Sequence, residues 1–247
     1  MHRNIFTVSL ASASLLLLWQ VLVVFFAPPA FLLPSPWSVL SEFTSNSSLY
    51  GHHALVTLIS TAVGFMLALI IGGSLAITVS LSEKAEQILW PYVVLLKTIP
   101  TIALAPLLIL LAGIGFLTKL IIVTLICFFP IFISTLQGLK SATQEQRDVF
   151  TTYGFSRLQT YKKLLLPNAL PFIFPALKVS ILLALTGSFV AEFIVSQAGL
   201  GYLLVFSLRT FDAAPLYVAL LLTSAIGTLL FAMVSYLEQK IVFWSAK

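Results

Sequence analysis

Charged residues are scarce in this chain. Only 9% of the 247 residues are Asp, Glu, Lys or Arg, whereas 60% are hydrophobic. A soluble domain carries about 25% charged residues and could not hide this much apolar surface. The apolar residues stand in long uninterrupted runs, unlike the short alternating segments of a membrane β-barrel. The composition therefore predicts an all-α, polytopic membrane protein.

Cysteine is almost absent, and the common catalytic motifs are missing. Cys127 is the single cysteine, so no disulfide can form within the chain. There is no G-x-x-x-x-G-K-[ST] phosphate loop, because "GLKS" at 138–141 lacks the adjacent Gly-Lys pair and the upstream glycine. No nucleophile with a matching base is evident. We therefore expect no enzyme activity, no ATP site and no bound cofactor in this chain.

Six apolar runs are long enough for helices that cross a bilayer, which takes about 20 residues. We predict one transmembrane domain over residues 1–247, with spans at about 6–27, 54–82, 88–113, 117–139, 168–195 and 213–236. The first run exceeds the roughly 7–15 apolar residues of a signal peptide, so we interpret it as an uncleaved span. The third contains Pro91, Pro100 and Pro106, so we expect its first part to be broken or interfacial, with the crossing starting near Pro100.

The basic residues predict the orientation. The net charge of +5 is scattered between apolar runs, which indicates cytoplasmic anchoring loops and no nucleic-acid partner. The loops expected outside, 28–53 and 196–212, contain Arg209 as their only basic residue. Lys119, at an outer helix end, is an exception to the pattern of basic residues on the inside. Both termini are therefore expected in the cytoplasm. The residues that support this lie at the two termini or in alternate loops: Arg3, Lys84, Lys140, Arg147, Arg157, Lys162, Lys163, Lys240 and Lys247.

One polar segment, residues 140–167, interrupts the apolar pattern. Of the 13 basic and 8 acidic residues, seven lie between Lys140 and Lys163. The pairs Ser141–Gln144 and Ser156–Gln159 have capping-box spacing. Gly154 suits the left-handed position after a helix, and Pro167 predicts a helix end before it. The segment is thus predicted to form two short helices joined by a glycine turn, although on charge alone it could be a solvated loop.

The spacing of Gly154, Leu164, Leu166 and Pro167 resembles the cytoplasmic "EAA" motif of ABC importer permeases. That motif reads Glu-Ala-Ala, three residues, Gly, nine residues, Ile-x-Leu-Pro. Asp148 stands at its acidic position, but Val149 and Phe150 replace the two alanines. "LLPSP" at 32–36, "TIPTIALAPLLILLAGIG" at 98–115 and "FVAEFIVSQAGLGYLL" at 189–204 resemble further segments of the permeases for nitrate, sulfonate, taurine and thiamine precursors.

The resemblance implies the function. It implies the fold of type I ABC importer permeases and a place in the bacterial inner membrane. It also implies a pair of permease subunits, most simply a homodimer, with an ABC ATPase beneath and an extracytoplasmic solute-binding protein above. The solute would be a small anion or a thiamine pyrimidine precursor, and ATP would be bound by the partner. The residues expected to couple to the ATPase are Asp148, Gly154, Arg157, Leu158, Leu164, Leu166 and Pro167.

The remaining motif residues have two possible roles, one in lining the pore and one in the structure. Pro100, Pro106, Gly199 and Gly201 are candidates for a pore-lining or a structural role. Glu192 is the acid found deep within a predicted span, where it either lines the pore or serves as a buried hydrogen-bond partner. A transporter driven by an ion gradient is the alternative function, but it would need inverted repeats and several ionisable groups inside the membrane. An intramembrane enzyme would need a catalytic dyad or metal ligands within the spans.

Overall fold

The computed structural model describes residues 2–244, with side chains from residue 13 onward. This part of the chain forms α-helices with short 3-10 and π turns, and it contains no strand. The first six helices are α1 His2–Phe26, α2 Pro36–Ser45, α3 Ser47–Ser80, α4 Glu83–Thr98, α5 Ala105–Ala112 and α6 Phe116–Lys140. The others are α7 Gln144–Thr152, α8 Arg157–Thr160, α9 Leu166–Val195, α10 Leu200–Thr210 and α11 Ala214–Ile241. The all-α prediction is confirmed.

Helix α6 forms the centre of the bundle, between α3 and α9. Gly64 faces Val123 and Gly72 faces Phe128, so α3 and α6 run in the same direction. Glycine allows close contact between α6 and α9, because a Cβ on Gly138 would lie 2.8 Å from the Cα of Ala169. At the other end of this helix pair Lys119 meets Glu192, so α9 runs opposite to α6. We call the end that carries the 140–167 segment the polar end and the opposite one the distal end.

The chain between α3 and α6 must return from the polar end to the distal end, because these two helices are parallel. It does so as a bent pair, in which Glu83–Thr98 and Thr101–Ala112 meet at 83°. The predicted break is therefore confirmed. The second limb ends at Ala112 and is shorter than the about 20 residues of a straight crossing, so a crossing that begins near Pro100 stays a prediction. By length and composition the two limbs form either a broken span or a re-entrant loop.

Helix length and composition agree with a membrane protein. Among the described residues, four helices are long and apolar enough to cross a bilayer, and the bent pair would be a fifth crossing. The four are α3, α6, α11 and a continuous helix over Arg157–Val195. Helix α1 overlaps the first predicted span, but its side chains are described only for its second half. Two residues that supported the predicted orientation are affected by these limits. The side chain of Arg3 is outside the described part, and Lys247 lies outside the described residues.

Helix α1 ends at the distal end, and α11 runs from there towards the polar end. The ring of Trp19 stacks on Tyr217 at a centroid distance of 5.4 Å, and its Nε1–H donates to the carbonyl of Pro34. These contacts place the end of α1 beside the start of α11, at the distal end. Lys178 of α9 forms an ion pair with Glu238 near the end of α11, so α11 returns to the polar end. Which side of the membrane the polar end occupies remains a prediction.

Two short helices, α2 and α10, lie in regions predicted as outer loops. Helix α2 begins with Ser35 as its N-cap and Pro36 in its first turn, two standard start signals. Tyr50, near the start of α3, donates its hydroxyl proton to Glu42 of α2 at 2.7 Å. Sequence analysis did not predict these two helices, because it relied on apolar runs of about 20 residues and they have 10 and 11 residues.

Candidate functional site

The first helix of the polar segment begins two residues later than predicted. Ser141 cannot start it, because Ser141 is the C-cap of α6 and its hydroxyl donates to the carbonyl of Gly138 at 2.8 Å. Thr143 is the N-cap instead. Its hydroxyl accepts from the N–H of Gln146, and the Gln146 side chain accepts from the N–H of Thr143. The capping box is thus present in α7, but the pair Ser141–Gln144 does not form it.

The turn at Gly154 ends α7 in a Schellman motif. The N–H of Gly154 donates to the carbonyl of Thr151, and that of Phe155 donates to the carbonyl of Phe150, both at 3.0 Å. Gly154 has a φ of +73°, which the motif requires and which glycine adopts without strain. The rings of Phe150 and Phe155 pack across the turn at 4.8 Å. The glycine turn predicted from the sequence is therefore present, and the aromatic pair holds it closed.

The second helix of the segment does not end before Pro167. The capping box Ser156–Gln159 starts α8 as predicted. A π turn over Tyr161–Leu165 then joins α8 to α9, and Leu166 keeps helical dihedral angles directly before the proline. Pro167 has no N–H to give to a carbonyl one turn earlier, and the wider π turn removes the need for that bond. The result is one continuous helix of 39 residues over Arg157–Val195.

The predicted coupling residues divide into two groups. Asp148, Gly154, Arg157 and Leu158 are exposed on the polar segment. Tyr153 is next to them and exposes 78% of its surface. Leu164, Leu166 and Pro167 belong to the π turn and α9, and Leu164 is buried with 8% exposure. Leu164 therefore supports the segment from within, whereas Leu166 is 37% exposed. The exposed surface consists mainly of the first group with Val149 and Tyr153.

Side chains on three sides hold the polar segment against the bundle. The Arg147 guanidinium donates to the carbonyls of Leu139 and Ala142, both at 3.4 Å. Asn168 of α9 donates to the side chain of Gln146 at 3.4 Å, and Lys140 forms an ion pair with Glu86 of α4. The segment is thus a built structure and differs from the solvated loop that charge alone allowed.

At the distal end, Glu192 is the centre of a buried polar network. It has no exposed surface, and Lys119 is 3% exposed. The Lys119 Nζ lies 3.5 Å from Glu192 Oε1, while Thr57 and the N–H of Gly201 donate to Oε2 at 2.7 and 3.1 Å. Ser60 contacts Oε1 at 3.4 Å and lies 2.5 Å from the Ser188 hydroxyl. We call His53, Thr57, Ser60, Lys119, Ser188 and Glu192 the carboxylate network.

The network fixes the start of α10. Three consecutive backbone N–H groups each donate to a buried side chain: Gly199 to His53 Nδ1 at 2.9 Å, Leu200 to Thr57 at 2.8 Å, and Gly201 to Glu192. The negative charge of a carboxylate also interacts favourably with the positive end of the helix dipole at the N-terminus. A Cβ on Gly199 would lie 2.1 Å from the Glu192 carboxyl carbon, and a Cβ on Gly201 would lie 2.0 Å from the carbonyl oxygen of Phe189. Both glycines are therefore needed for this close packing.

The other predicted residues lie apart from the network. Pro100 precedes the 3-10 turn of the bent pair, and Pro106 stands in the first turn of α5. The structure thus separates the predicted residues into the polar segment, the bend and the carboxylate network. For Glu192, full burial among donors is the arrangement expected of a structural hydrogen-bond partner. Within the described residues no group of three His, Cys, Asp or Glu side chains could hold a metal ion.

Sequence analysis missed Lys119 and His53 as members of the network. Lys119 is 73 residues from Glu192, and the pattern of basic residues assigned it to a helix end. One signal was available: a lysine inside an apolar run needs a counter-charge, and Glu192 is the acid inside another run. His53 offered no comparable signal, because its partner is a backbone N–H.

Comparisons with known proteins agree with this architecture. The family described as "Binding-protein-dependent transport system inner membrane component" matches residues 64–243. The formylaminopyrimidine transport permease protein ThiX of Halalkalibacterium halodurans is 31% identical, over 94% of this chain and 93% of that protein. The riboflavin transport system permease protein RibX of Chloroflexus aurantiacus is 36% identical, over 94% and 87%. Permeases named for aliphatic sulfonates, nitrate and taurine are 26–29% identical.

A solved structure shares the fold. The MetNI methionine ABC transporter, in an inward-facing conformation, contains a chain that matches with a TM-score of 0.67 at 18% sequence identity. The match covers 81% of this chain and 98% of that one. At this identity the likeness concerns the helical architecture alone.

Proposed function

The chain belongs to the family of binding-protein-dependent transport system inner membrane components, and from this premise we propose that it forms the solute pathway of an importer powered by a separate ATPase. It is an ABC importer permease subunit of the inner membrane and is a transport component, not itself an enzyme. Family membership also argues against the ion-gradient transporter that the sequence left open.

The observation that carries the proposal is the construction of the polar segment. Val149, Tyr153 and Leu158 expose 52%, 78% and 63% of their surfaces on a turn that is closed by a Schellman motif. A rigid surface with apolar groups in a polar setting is typical of a protein interface. We propose that a cytoplasmic ABC ATPase binds this surface. The continuous helix from Arg157 to Val195 would carry a movement of that ATPase into the membrane.

Two further partners belong to the proposal. An extracytoplasmic solute-binding protein delivers the solute to the distal end. A second permease subunit, most simply another copy of this chain, completes the pathway. An unpartnered face of α9 supports the second subunit, since Phe172, Val179, Leu182 and Thr186 are exposed along it at helical spacing.

The proposed solute is a small nitrogen heterocycle of the vitamin-precursor type. The two relatives at 31% and 36% identity are named for formylaminopyrimidine and riboflavin, whereas those named for small anions are 26–29% identical. Uptake of nitrate or a sulfonate is the competing result.

The proposal is tested by co-expression of the chain with an ABC ATPase and a binding protein from the same operon. We expect the ATPase to co-purify with the permease, and uptake of labelled formylaminopyrimidine into proteoliposomes to need both ATP and the binding protein. The chain alone should hydrolyse no ATP above a vesicle blank. Uptake without the ATPase, or a failure of the ATPase to co-purify, would contradict the proposed function.

A further inference from the structure

A pocket of about 500 Å³ lies at the distal end, between the last turn of α9, the turn after it, and α10. Phe193 contributes to its wall from α9, Gln197 from the turn, and Tyr202 and Arg209 from α10. The volume is in the range of small-molecule sites, which are about 300–1,000 Å³. The pocket is separate from the carboxylate network, which lies behind the start of α10.

The polar groups of this pocket are available to a ligand. Gln197, the Tyr202 hydroxyl and Arg209 form no hydrogen bond or ion pair with any described residue. Ser196, which also lines the pocket, is already bonded to the backbone of Ala198. Arg209 can only donate hydrogen bonds, and Gln197 and Tyr202 each offer a donor. The described residues that line the pocket include no Asp or Glu. Its chemistry therefore suits a molecule that accepts hydrogen bonds.

The walls of the pocket are held in place before any ligand arrives. The first residues of α10 are fixed by the N–H groups of 199–201, which donate to His53, Thr57 and Glu192. The Tyr202 ring stacks on His53 at a centroid distance of 5.9 Å and an interplanar angle of 21°. A site whose supporting groups are already bonded loses little entropy when it binds a ligand.

The pocket is also connected mechanically to the polar segment. Phe193 lies near the end of the continuous helix that begins at Arg157 beside the Gly154 turn. Glu192, next to Phe193 on the same helix, accepts from the N–H of Gly201 in α10. A tilt of that helix at the polar end would therefore reach both walls of the pocket.

We propose that this distal pocket receives the solute and selects a flat molecule rich in hydrogen-bond acceptors, such as a ring with carbonyl or ring-nitrogen acceptors. The inference rests on the proposed function and adds a site to it. The aromatic ring of Phe193 provides a face for a planar solute, and the guanidinium, amide and hydroxyl groups provide donors around it. A nitrate ion would fill only a small part of about 500 Å³.

The test uses the complete complex in proteoliposomes, with labelled formylaminopyrimidine as the probe and its loaded binding protein at saturation. We expect Arg209→Ala to lower the uptake rate up to about tenfold, the upper end of the effect of losing one hydrogen bond. Arg209→Gln, which keeps planar donors, should retain most of the uptake, whereas Arg209→Lys should resemble Arg209→Ala. ATP hydrolysis stimulated by the binding protein should persist, which separates a solute site from a docking site. Thr210→Val is the matched control, since Thr210 is exposed next to Arg209 and does not line the pocket.

Unchanged uptake in both Arg209→Ala and Gln197→Ala would overturn the site. If Arg209→Lys is active and Arg209→Gln inactive, the solute is an anion and the proposed heterocycle is wrong. Uptake of taurine instead of the heterocycle by the wild type would lead to the same conclusion. If the wild type transports neither probe, the inference fails, and ATPase co-purification shows whether the proposed function fails with it.

Discussion

Gly154 is the residue at which a local sequence signal and a structural requirement coincide. Its φ of +73° is forced by the Schellman bonds to Thr151 and Phe150, and apart from its chain neighbours no described residue has an atom within 4 Å of the position that a Cβ would take. Any penalty of substitution there comes from backbone strain and not from a clash. The signal was readable because a helix end depends on residues that are neighbours in sequence. The same holds for the pair Ser156–Gln159.

The first prediction concerns Gly154→Val. A β-branched residue at positive φ costs about 1–3 kcal/mol, so the turn should distort while the apolar spans still insert. We expect near-normal membrane abundance, loss of ATPase co-purification and loss of uptake. Gly113→Val is a matched control, because Gly113 also has a positive φ (+78°) with no atom within 4 Å, but lies between α5 and α6 at the distal end. If Gly154→Val keeps its ATPase, the polar segment is not the docking surface.

The second prediction concerns the buried pair Lys119–Glu192. Removing one partner leaves an uncompensated buried charge, which costs about 3–5 kcal/mol. Lys119→Met and Glu192→Gln should each lower the unfolding temperature of the detergent-purified protein. The double variant should be more stable than the sum of the two losses predicts, because neither charge remains. Strict additivity in this double-mutant cycle would show that the two side chains do not interact.

Two kinds of residue pair show what could not be predicted from the sequence at the residue scale. Ser141–Gln144 and Thr143–Gln146 have equal capping chemistry, and only the length of α6 decides between them. Lys119 and Glu192 meet only because α6 and α9 pack antiparallel. Local chemistry can therefore be read from spacing, whereas a long-range pair requires the helix arrangement first.

At the scale of elements, the π turn at Tyr161–Leu165 decides what the polar segment can transmit. A helix end before Pro167 was the reasonable expectation, because a residue that precedes proline disfavours the helical region. The structure keeps Leu166 helical with φ −65° and ψ −47°, because the π turn accommodates the proline. The four long apolar helices, in contrast, were predictable because apolar length alone decides them. Helices α2 and α10 could not be predicted from apolar length, because they have only 10 and 11 residues.

The third prediction follows from the register of this helix. Insertion of one alanine between Thr160 and Tyr161 would add a helical residue before the π turn and rotate Arg157 and Leu158 by about 100° relative to α9. We expect the protein to remain in the membrane but to lose ATPase co-purification. Lys163→Ala keeps the register and is the control, since Lys163 is exposed and its ammonium, which lies over the ring of Phe155, forms no ion pair with a described residue. An insertion variant that still transports would mean that the register of this helix is not used.

At the scale of the whole molecule, the parallel packing of α3 and α6 constrains the topology. Two parallel helices that both cross the bilayer require the bent pair between them to cross as well. If α1 also crosses, both ends of the chain lie on the side of the polar segment, as the contacts of Trp19 with Tyr217 and of Lys178 with Glu238 indicate. The positive residues predicted the same arrangement from loop charges, without any knowledge of the packing.

The last prediction assigns the two ends of the bundle to the two sides of the membrane. Cys127 has no exposed surface, so a cysteine introduced at an exposed position should be the reactive thiol of the chain. On intact spheroplasts, an impermeant maleimide should label Ser48→Cys and Ile114→Cys, which are exposed at the distal end. Thr152→Cys, exposed on the polar segment, should react only after permeabilisation. If Ile114→Cys instead behaves like Thr152→Cys, the bent pair re-enters on the cytoplasmic side, and α3 and α6 cannot both cross the bilayer in parallel.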